Sequence, residues 1–547
     1  IEANRLAYYL KDKFKIFKGD CVSVMMNNTV DRMVTLLSIL KLGAVYVPID
    51  KENPFERTSF ILNDTNAKLL MTESFSNVVH EEQKYNIPIV KVDQIKDKIN
   101  EFSSENPKVN VGSQDLFSIL YTSGSTGNPK GVLIKNEGLL NRINWFWYHY
   151  EFTKKDIIFQ KTPFVFDVSI GEIFMPLCFG AKLVLAKGEE NSLQITESII
   201  KYGITYIHFS PTQLNNYLDA SANDFSKITS LRRIVCSGEE LTKSILTKYY
   251  KNLQIPLSNL YGPTEASIEV TYFDSVPADV EKERSRIPIG KPIDNVQIYV
   301  LDVNHKIAPL GVVGEIAIGG LCLAEGYLNS PEKTKNQFVE CTFNSNETTR
   351  VYKTGDLGVW LEDGTVQFLG RKDNQISING SRIEPGEIES VITKHPRVHN
   401  VAVVPKKDEF NNWHLVAYYT LKNEGFIEIE KTTKLKPEVF KSQYFKPNAI
   451  SSNKSNVYQL FQDSFNKYAD NTAIVFNDKA LSYKELQEGV DKFVALLTEK
   501  HKVGVGSQIV LIAGRSEKTI VSILAIMKIG AIYIPIDREY PKARVNH

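Results

Sequence analysis

Between Leu10 and Val111, stretches with apolar residues at helical spacing alternate with short β-branched runs: Cys21-Val-Ser-Val-Met25, Ala44-Val-Tyr-Val47 and Lys68-Leu-Leu-Met71. This alternation predicts an α/β fold with a parallel sheet, since strands apolar on both faces need helices to cover them. It continues through Lys182-Leu-Val-Leu-Ala186, Ile204-Thr-Tyr-Ile-His208 and Arg233-Ile-Val-Cys236. From Pro288 to Leu369 the pattern changes to short strands cut by Gly, Pro and Asp turns, such as Gln297-Ile-Tyr-Val-Leu301 and Gly314-Glu-Ile-Ala-Ile-Gly319. That section predicts a small, mostly antiparallel barrel. A smaller α+β piece follows Arg371-Lys-Asp373 and ends near Leu421. Glu424 to Ser455 is rich in Lys, Glu, Ser and Asn with weak periodicity, and reads as a linker.

A repeat of very long period overlies this pattern. Leu40-Lys-Leu-Gly-Ala-Val-Tyr-Val-Pro-Ile-Asp50 returns as Met527-Lys-Ile-Gly-Ala-Ile-Tyr-Ile-Pro-Ile-Asp537, and the offset of 487 positions (537 − 50) holds without gaps from Leu10/Leu497 to Arg57/Arg544. An offset of one large domain means tandem modules, not a solenoid. The expected plan is a large N-terminal region, residues 1–371, made of two α/β subdomains and a small β-barrel. A small α+β C-terminal subdomain (372–423), a linker (424–457) and the start of a second α/β module (458–547) follow. The second copy stops at His547, and Phe461 to Gln487 has no counterpart ahead of Ile1, so both ends read as cut from a longer polypeptide.

Bulk properties remove several function classes. Charged residues make up 24% of 547 and the formal net charge is +1, so no basic groove points to nucleic acid. The five cysteines, Cys21, Cys178, Cys236, Cys322 and Cys341, are scattered without CxxC or Cys/His clustering. Neither a zinc site nor a disulfide framework is indicated, and a reducing cytoplasm fits. The most apolar window, Ser522 to Ile536, is interrupted by Lys528 and Pro535 and falls short of the roughly 20 residues of a membrane helix.

The chemistry begins at Tyr121-Thr-Ser-Gly-Ser-Thr-Gly-Asn-Pro-Lys-Gly131. Gly124 and Gly127 let the backbone turn tightly and present N–H groups, Ser123, Ser125 and Thr126 add hydroxyls, and Lys130 adds a point charge: the composition of a phosphate cradle, or of a plain surface loop. It is not a Walker A loop, because Gly131 follows Lys130 where Ser or Thr is required. Tyr261-Gly-Pro-Thr-Glu265 offers an aromatic face, a hydroxyl and a carboxylate suited to Mg²⁺. Tyr352-Lys-Thr-Gly-Asp-Leu357 offers a carboxylate for ribose hydroxyls, and Gly370-Arg-Lys-Asp373 a bidentate cation beside a second acid. Read singly, each is a polar turn.

Together and in this order, with Leu40 to Asp50, Phe166-Asp-Val-Ser169, Gly314 to Leu328 and Gly370 to Glu389, these motifs resemble the adenylate-forming enzymes. Within them the chain is most similar to the adenylation domains of nonribosomal peptide synthetases, over roughly residues 1 to 421 and again after about 458. The resemblance implies activation of an amino acid with ATP and Mg²⁺ to an aminoacyl-adenylate and pyrophosphate. The acyl group then passes to the phosphopantetheine of a carrier protein, beside condensation domains of the same assembly line. It implies that Thr122 to Lys130 hold the β and γ phosphates, with Gly238, Asn259 and Tyr261 beside the nucleotide. Thr264 and Glu265 would face the α-phosphate and Mg²⁺, Asp356 and Arg371 would hold the ribose, and Asp373 would be the hinge of the C-terminal subdomain.

The acid of Phe-Asp-x-Ser, Asp167, implies an α-ammonium in the substrate; its bland alternative is a helix N-cap. Carried over position by position, the pocket is Asp167, Val168, Gly171, His208, Val235, Ser237, Leu260, Ile268 and Glu269. This resembles the pattern for serine, except that Gly171 stands where a tryptophan is usual. Gly171 opens space, which leaves ornithine, with Glu269 as counter-ion, as the second choice. His208 reads equally as a satisfied core histidine. The family's late Pro-Leu-Thr-x-Asn-Gly-Lys-like motif is not found; Ser377, Asn379, Asn136 and Glu325 also depart from the pattern. Two alternatives therefore stand beside the main expectation: activation of another carboxylic acid in the manner of acyl-CoA synthetases, or a remnant that binds ATP or partners without turnover.

Overall fold

The alternating segment folds as a sheet with helices against it. A computed structural model describes residues 1–74, 85–124, 129–188, 190–220, 225–282, 286–344, 347–373, 375–378, 381–407, 413–421, 457–476, 479–513 and 516–536, in two compact units, Ile1–Gly425 and Phe426–His547. In the first unit, one sheet runs in the order Ile89–Lys91, Leu69–Thr72, Cys21–Val24, Val45–Pro48, Leu116–Thr122, Lys130–Lys135. All its pairings are parallel except the last. The second sheet runs Lys291–Pro292, Thr271–Ser275, Leu257–Tyr261, Arg233–Cys236, Tyr206–Phe209, Ile157–Gln160, Lys182–Leu185. It is parallel from Leu257–Tyr261 onward and antiparallel at the other edge. Several helices start at a side-chain cap: Thr29 accepts from Arg32 N–H, and Ser210 with Gln213 closes a capping box around Pro211.

The section expected to form a barrel is an antiparallel sheet of five strands, Val296–Leu301, Gly314–Gly320, Phe338–Asn344, Glu347–Trp360 and Val366–Arg371. The fourth is long enough to pair with three neighbours, and so carries Tyr352 to Leu357 inside a strand and not in a turn. Gly290 joins this sheet to the second one by exchanging hydrogen bonds with Val366. Its φ is 89°, and a Cβ there would fall 1.8 Å from the Tyr272 carbonyl oxygen, so only glycine fits. Gly290→Ala is expected to destabilise the unit by about 2–4 kcal/mol, read from urea unfolding; a change under about 0.5 kcal/mol would contradict this packing.

Past Arg371 come the hairpin Ile376–Ile378/Ser381–Ile383, the helix Pro385–Thr393 and the hairpin Val398–Lys407/Trp413–Leu421. The expected linker lies almost wholly outside the described residues. In the second unit the strand Gln508–Ile512 pairs in parallel with Ile532–Ile536, across the helix Glu517–Ile529. Gln508 faces Ile532 there and Cys21 faces Val45 in the first unit, both members displaced by the same 487 positions (508 − 21, 532 − 45). The sequence repeat is thus also a repeat of strand register.

Candidate active site

Several of the candidate residues sit at strand ends and in the turns after them, as expected where parallel strands stop. Thr122 ends one strand and Lys130 opens the antiparallel return strand directly opposite it. Ser123 donates to the Arg382 carbonyl at 2.8 Å, and the buried Thr122 Oγ1 has no partner among the described residues. Ser125, Thr126 and Gly127 lie outside the described residues. Lys130 Nζ meets Glu265 Oε1 at 2.9 Å, and the Tyr327 hydroxyl donates to the same oxygen at 2.8 Å. Arg382 Nη1 reaches the other oxygen at 3.0 Å. Burial opposes ionisation of Glu265, but Arg382 and Lys130 outweigh it and hold its carboxyl well below the usual range.

Glu265 follows Thr264 in a single helical turn, after which Ser267 and Ile268 both take positive φ, 55° and 84°. For a β-branched residue such as Ile268 this is strained backbone. The turn is held by Gly262, where a Cβ would lie 2.3 Å from the Ile268 carbonyl oxygen. On the five-stranded sheet, Asp356 and Arg371 face each other in strand register, with Arg371 Nη1 2.6 Å from Asp356 Oδ1. Tyr261 donates its hydroxyl to the other oxygen of Asp356. Arg371 also grips Asp373 through two hydrogen bonds, of 2.6 and 2.7 Å. Of the remaining nucleotide candidates, Gly238 has φ 86° directly after Ser237, and Asn259 spends its amide on the Pro288 carbonyl at 2.8 Å.

Next to this stand the residues expected to line an amino-acid pocket. Asp167 caps the helix Val168–Phe179, accepting from Val168 N–H at 2.8 Å, and Thr264 hydrogen-bonds the same carboxylate. The cap reading of Asp167 is therefore realised in the fold, and its carboxylate still lies within the set. Burial, with the charges of Glu269 and Glu265 adding to it, pushes its pKa up to about 7. Gly171 is one turn further along that helix. His208 and Val235 are register partners on adjacent strands, and Leu260 lies on the strand that pairs with the other side of Val235's. His208 Nε2 is 2.8 Å from Ser237 Oγ, while its Nδ1 is buried without a partner among the described residues. Burial holds His208 well below its ordinary pKa, so it is neutral. Glu269 is not free: Arg142 binds its Oε2 through Nε at 2.8 Å and Nη2 at 2.7 Å.

The structure thus places the described candidates around two adjoining polar centres and adds Arg382, Tyr327 and Arg142, which sequence reasoning did not single out. Tyr327 falls inside the Gly314 to Leu328 motif and Arg382 inside Gly370 to Glu389, so motif membership was their one available signal. Among the described residues no group of three or more His, Cys, Asp or Glu could hold a metal alone, and no helix is long and apolar enough to cross a membrane.

A sequence model of the AMP-binding enzyme family matches residues 1–328 and 461–547, and one of the AMP-binding enzyme C-terminal domain matches 387–450. Tyrocidine synthase 3 of Brevibacillus parabrevis is 39% identical over 73% of this chain, which spans 6% of that protein. Zwittermicin A synthase ZmaJ of Bacillus cereus is 36% identical over 82% of this chain and 84% of its own length. Most of the curated relatives are several times longer than the part matched. In fold, the chain resembles an artificially fused adenylation–PCP di-domain from Klebsiella oxytoca, with TM-score 0.68 and 23% identity over 77% of this chain and 82% of the other.

Proposed function

Because the chain belongs to the AMP-binding enzyme family, we propose that its first unit activates an α-amino acid with ATP to an aminoacyl-adenylate and pyrophosphate, for loading onto a carrier protein's phosphopantetheine. The observation that carries this is the juxtaposition of two acids at Thr264, which hydrogen-bonds Asp167, the acid expected to meet the ammonium, and directly precedes Glu265, the acid lined by Lys130 and Arg382. Attack of a carboxylate on the α-phosphorus builds charge on phosphoryl oxygens, and the protein's share is to position the reactants and neutralise that charge. Lys130 and Arg382 are the cations at hand. Each carboxylate oxygen of Asp356 carries a protein donor and retains a second acceptor site for ribose hydroxyls.

Glu265 Oε1 has both acceptor sites filled, by Lys130 and Tyr327, while among the described residues Oε2 holds Arg382 alone. One open site on one carboxylate suits Mg²⁺ that arrives bound mainly to phosphates; Glu265 would hold it, and the ion supplies charge neutralisation there. In the proposed organisation residues 1–371 are the core, 372–423 part of a swinging C-terminal subdomain hinged at Asp373, 424–457 a linker and 458–547 the start of a second module. The test is amino-acid-dependent exchange of labelled pyrophosphate into ATP. Exchange with amino acids is the expected result; exchange with fatty acids alone, or silence with every acid while ATP still binds, would overturn it.

A further inference from the structure

Gly171 has no side chain, so the sequence leaves room beside it that would suit a long substrate side chain reaching Glu269. The structure fills that room from another helix. Arg142, on the helix Asn136–His149, is 2% exposed, and its Nη1 lies 3.4 Å from where a Gly171 Cβ would be, the same distance as Ile268 Cδ1. The guanidinium plane packs over the Phe146 ring at 4.1 Å, hydrogen-bonds Tyr206 and clamps Glu269 Oε2 through two nitrogens. The other oxygen of Glu269 accepts from Ser237 Oγ at 3.4 Å.

We propose that Arg142 is a specificity-determining residue of the amino-acid pocket. Its guanidinium takes the volume that Gly171 leaves and satisfies Glu269, so the pocket accepts a short hydroxyl-bearing side chain and rejects a long one ending in an ammonium. This rests on the amino-acid-activating reading above. A second cation brought to Glu269 would meet Arg142 at close range in a buried site, where like charges repel strongly. The polar groups left over are neutral, the Ser237 hydroxyl and His208, whose buried Nδ1 has no partner among the described residues. A hydroxyl can both donate to and accept from such groups, whereas an ammonium can only donate.

The test compares kcat/KM in pyrophosphate exchange for serine, ornithine, glutamine and aspartate on the full chain. Wild type is expected to prefer serine over ornithine at least 100-fold. Arg142→Ala, which opens the volume and frees Glu269, is expected to raise the ornithine-to-serine ratio at least 30-fold, while Glu269→Gln, which keeps Arg142 in place, does not raise it. Should the unpaired Glu269 prevent Arg142→Ala from folding, the Arg142→Ala/Glu269→Gln double variant leaves no lone charge. It is expected to raise the glutamine-to-serine ratio at least tenfold. Preference of the wild type for ornithine or aspartate, or unchanged ratios in the folded variants that lack Arg142, overturns the inference alone; no exchange with any amino acid overturns the functional reading with it.

Discussion

Lys130→Met is expected to lower the rate of pyrophosphate exchange by about 10²–10³-fold, the usual consequence of removing one preorganised donor from a site of developing charge. The fold should survive, because among the described residues Lys130 is one of two cations bound to Glu265. Without it, Arg382 still lies 3.0 Å from Oε2 and Tyr327 still donates to Oε1 at 2.8 Å. Glu265→Gln is the contrasting change. It removes the carboxylate that Lys130 and Arg382 both bind, in a place where Glu265 is fully buried, and leaves the two cations without that bridging charge. Breaking a buried ionic set from that side costs about 3–5 kcal/mol. Urea unfolding should therefore rank wild type above Lys130→Met and Lys130→Met above Glu265→Gln, although both variants lose exchange. Equal stability of the two variants, or wild-type exchange by Lys130→Met, would show that the cluster is not arranged around Glu265.

Both the strands and the helices between them were legible where burial on both faces forces a continuous apolar run. Cys21–Val24, Val45–Pro48 and Leu69–Thr72 fall within one residue of the segments expected from pattern alone. Tyr352 to Leu357 was not legible in that way, since glycine and aspartate disfavour strands and read as a turn. Its strand identity comes from pairing with Gly314–Gly320, Phe338–Asn344 and Val366–Arg371, partners that no local window contains. The nucleotide motifs could be found because several residues of each work from one turn. Arg382 and Arg142 could not be found by residue type, because each acts through one acid 117 or 127 positions away. Glu269 shows the consequence most clearly: in the sequence it is a counter-ion open to a substrate, and in the fold it is already paired.

Asp167 is the residue whose substitution should separate the two substrates. Asp167→Ala is expected to lower kcat/KM for the amino acid by about 10²–10³-fold, the equivalent of about 3–4 kcal/mol for a recessed ammonium left without its acid, while ATP binding changes less than threefold. A purely structural role makes a different forecast. Asp167 caps the helix Val168–Phe179, and losing a cap costs about 0.5–2 kcal/mol of stability and lowers both affinities together. Asp167→Ser decides between them, since serine can cap but carries no charge: it should unfold like wild type and fail with amino acids like alanine. A pH profile gives an independent reading. The carboxyl is pushed up to about 7, so the charged form that binds an ammonium is present above that value and lost below it. In the wild type kcat/KM for the amino acid should fall about tenfold per pH unit below about pH 7, and in Asp167→Asn it should be low and flat across the same range. A wild-type profile that stays level down to pH 5 would place the ammonium elsewhere.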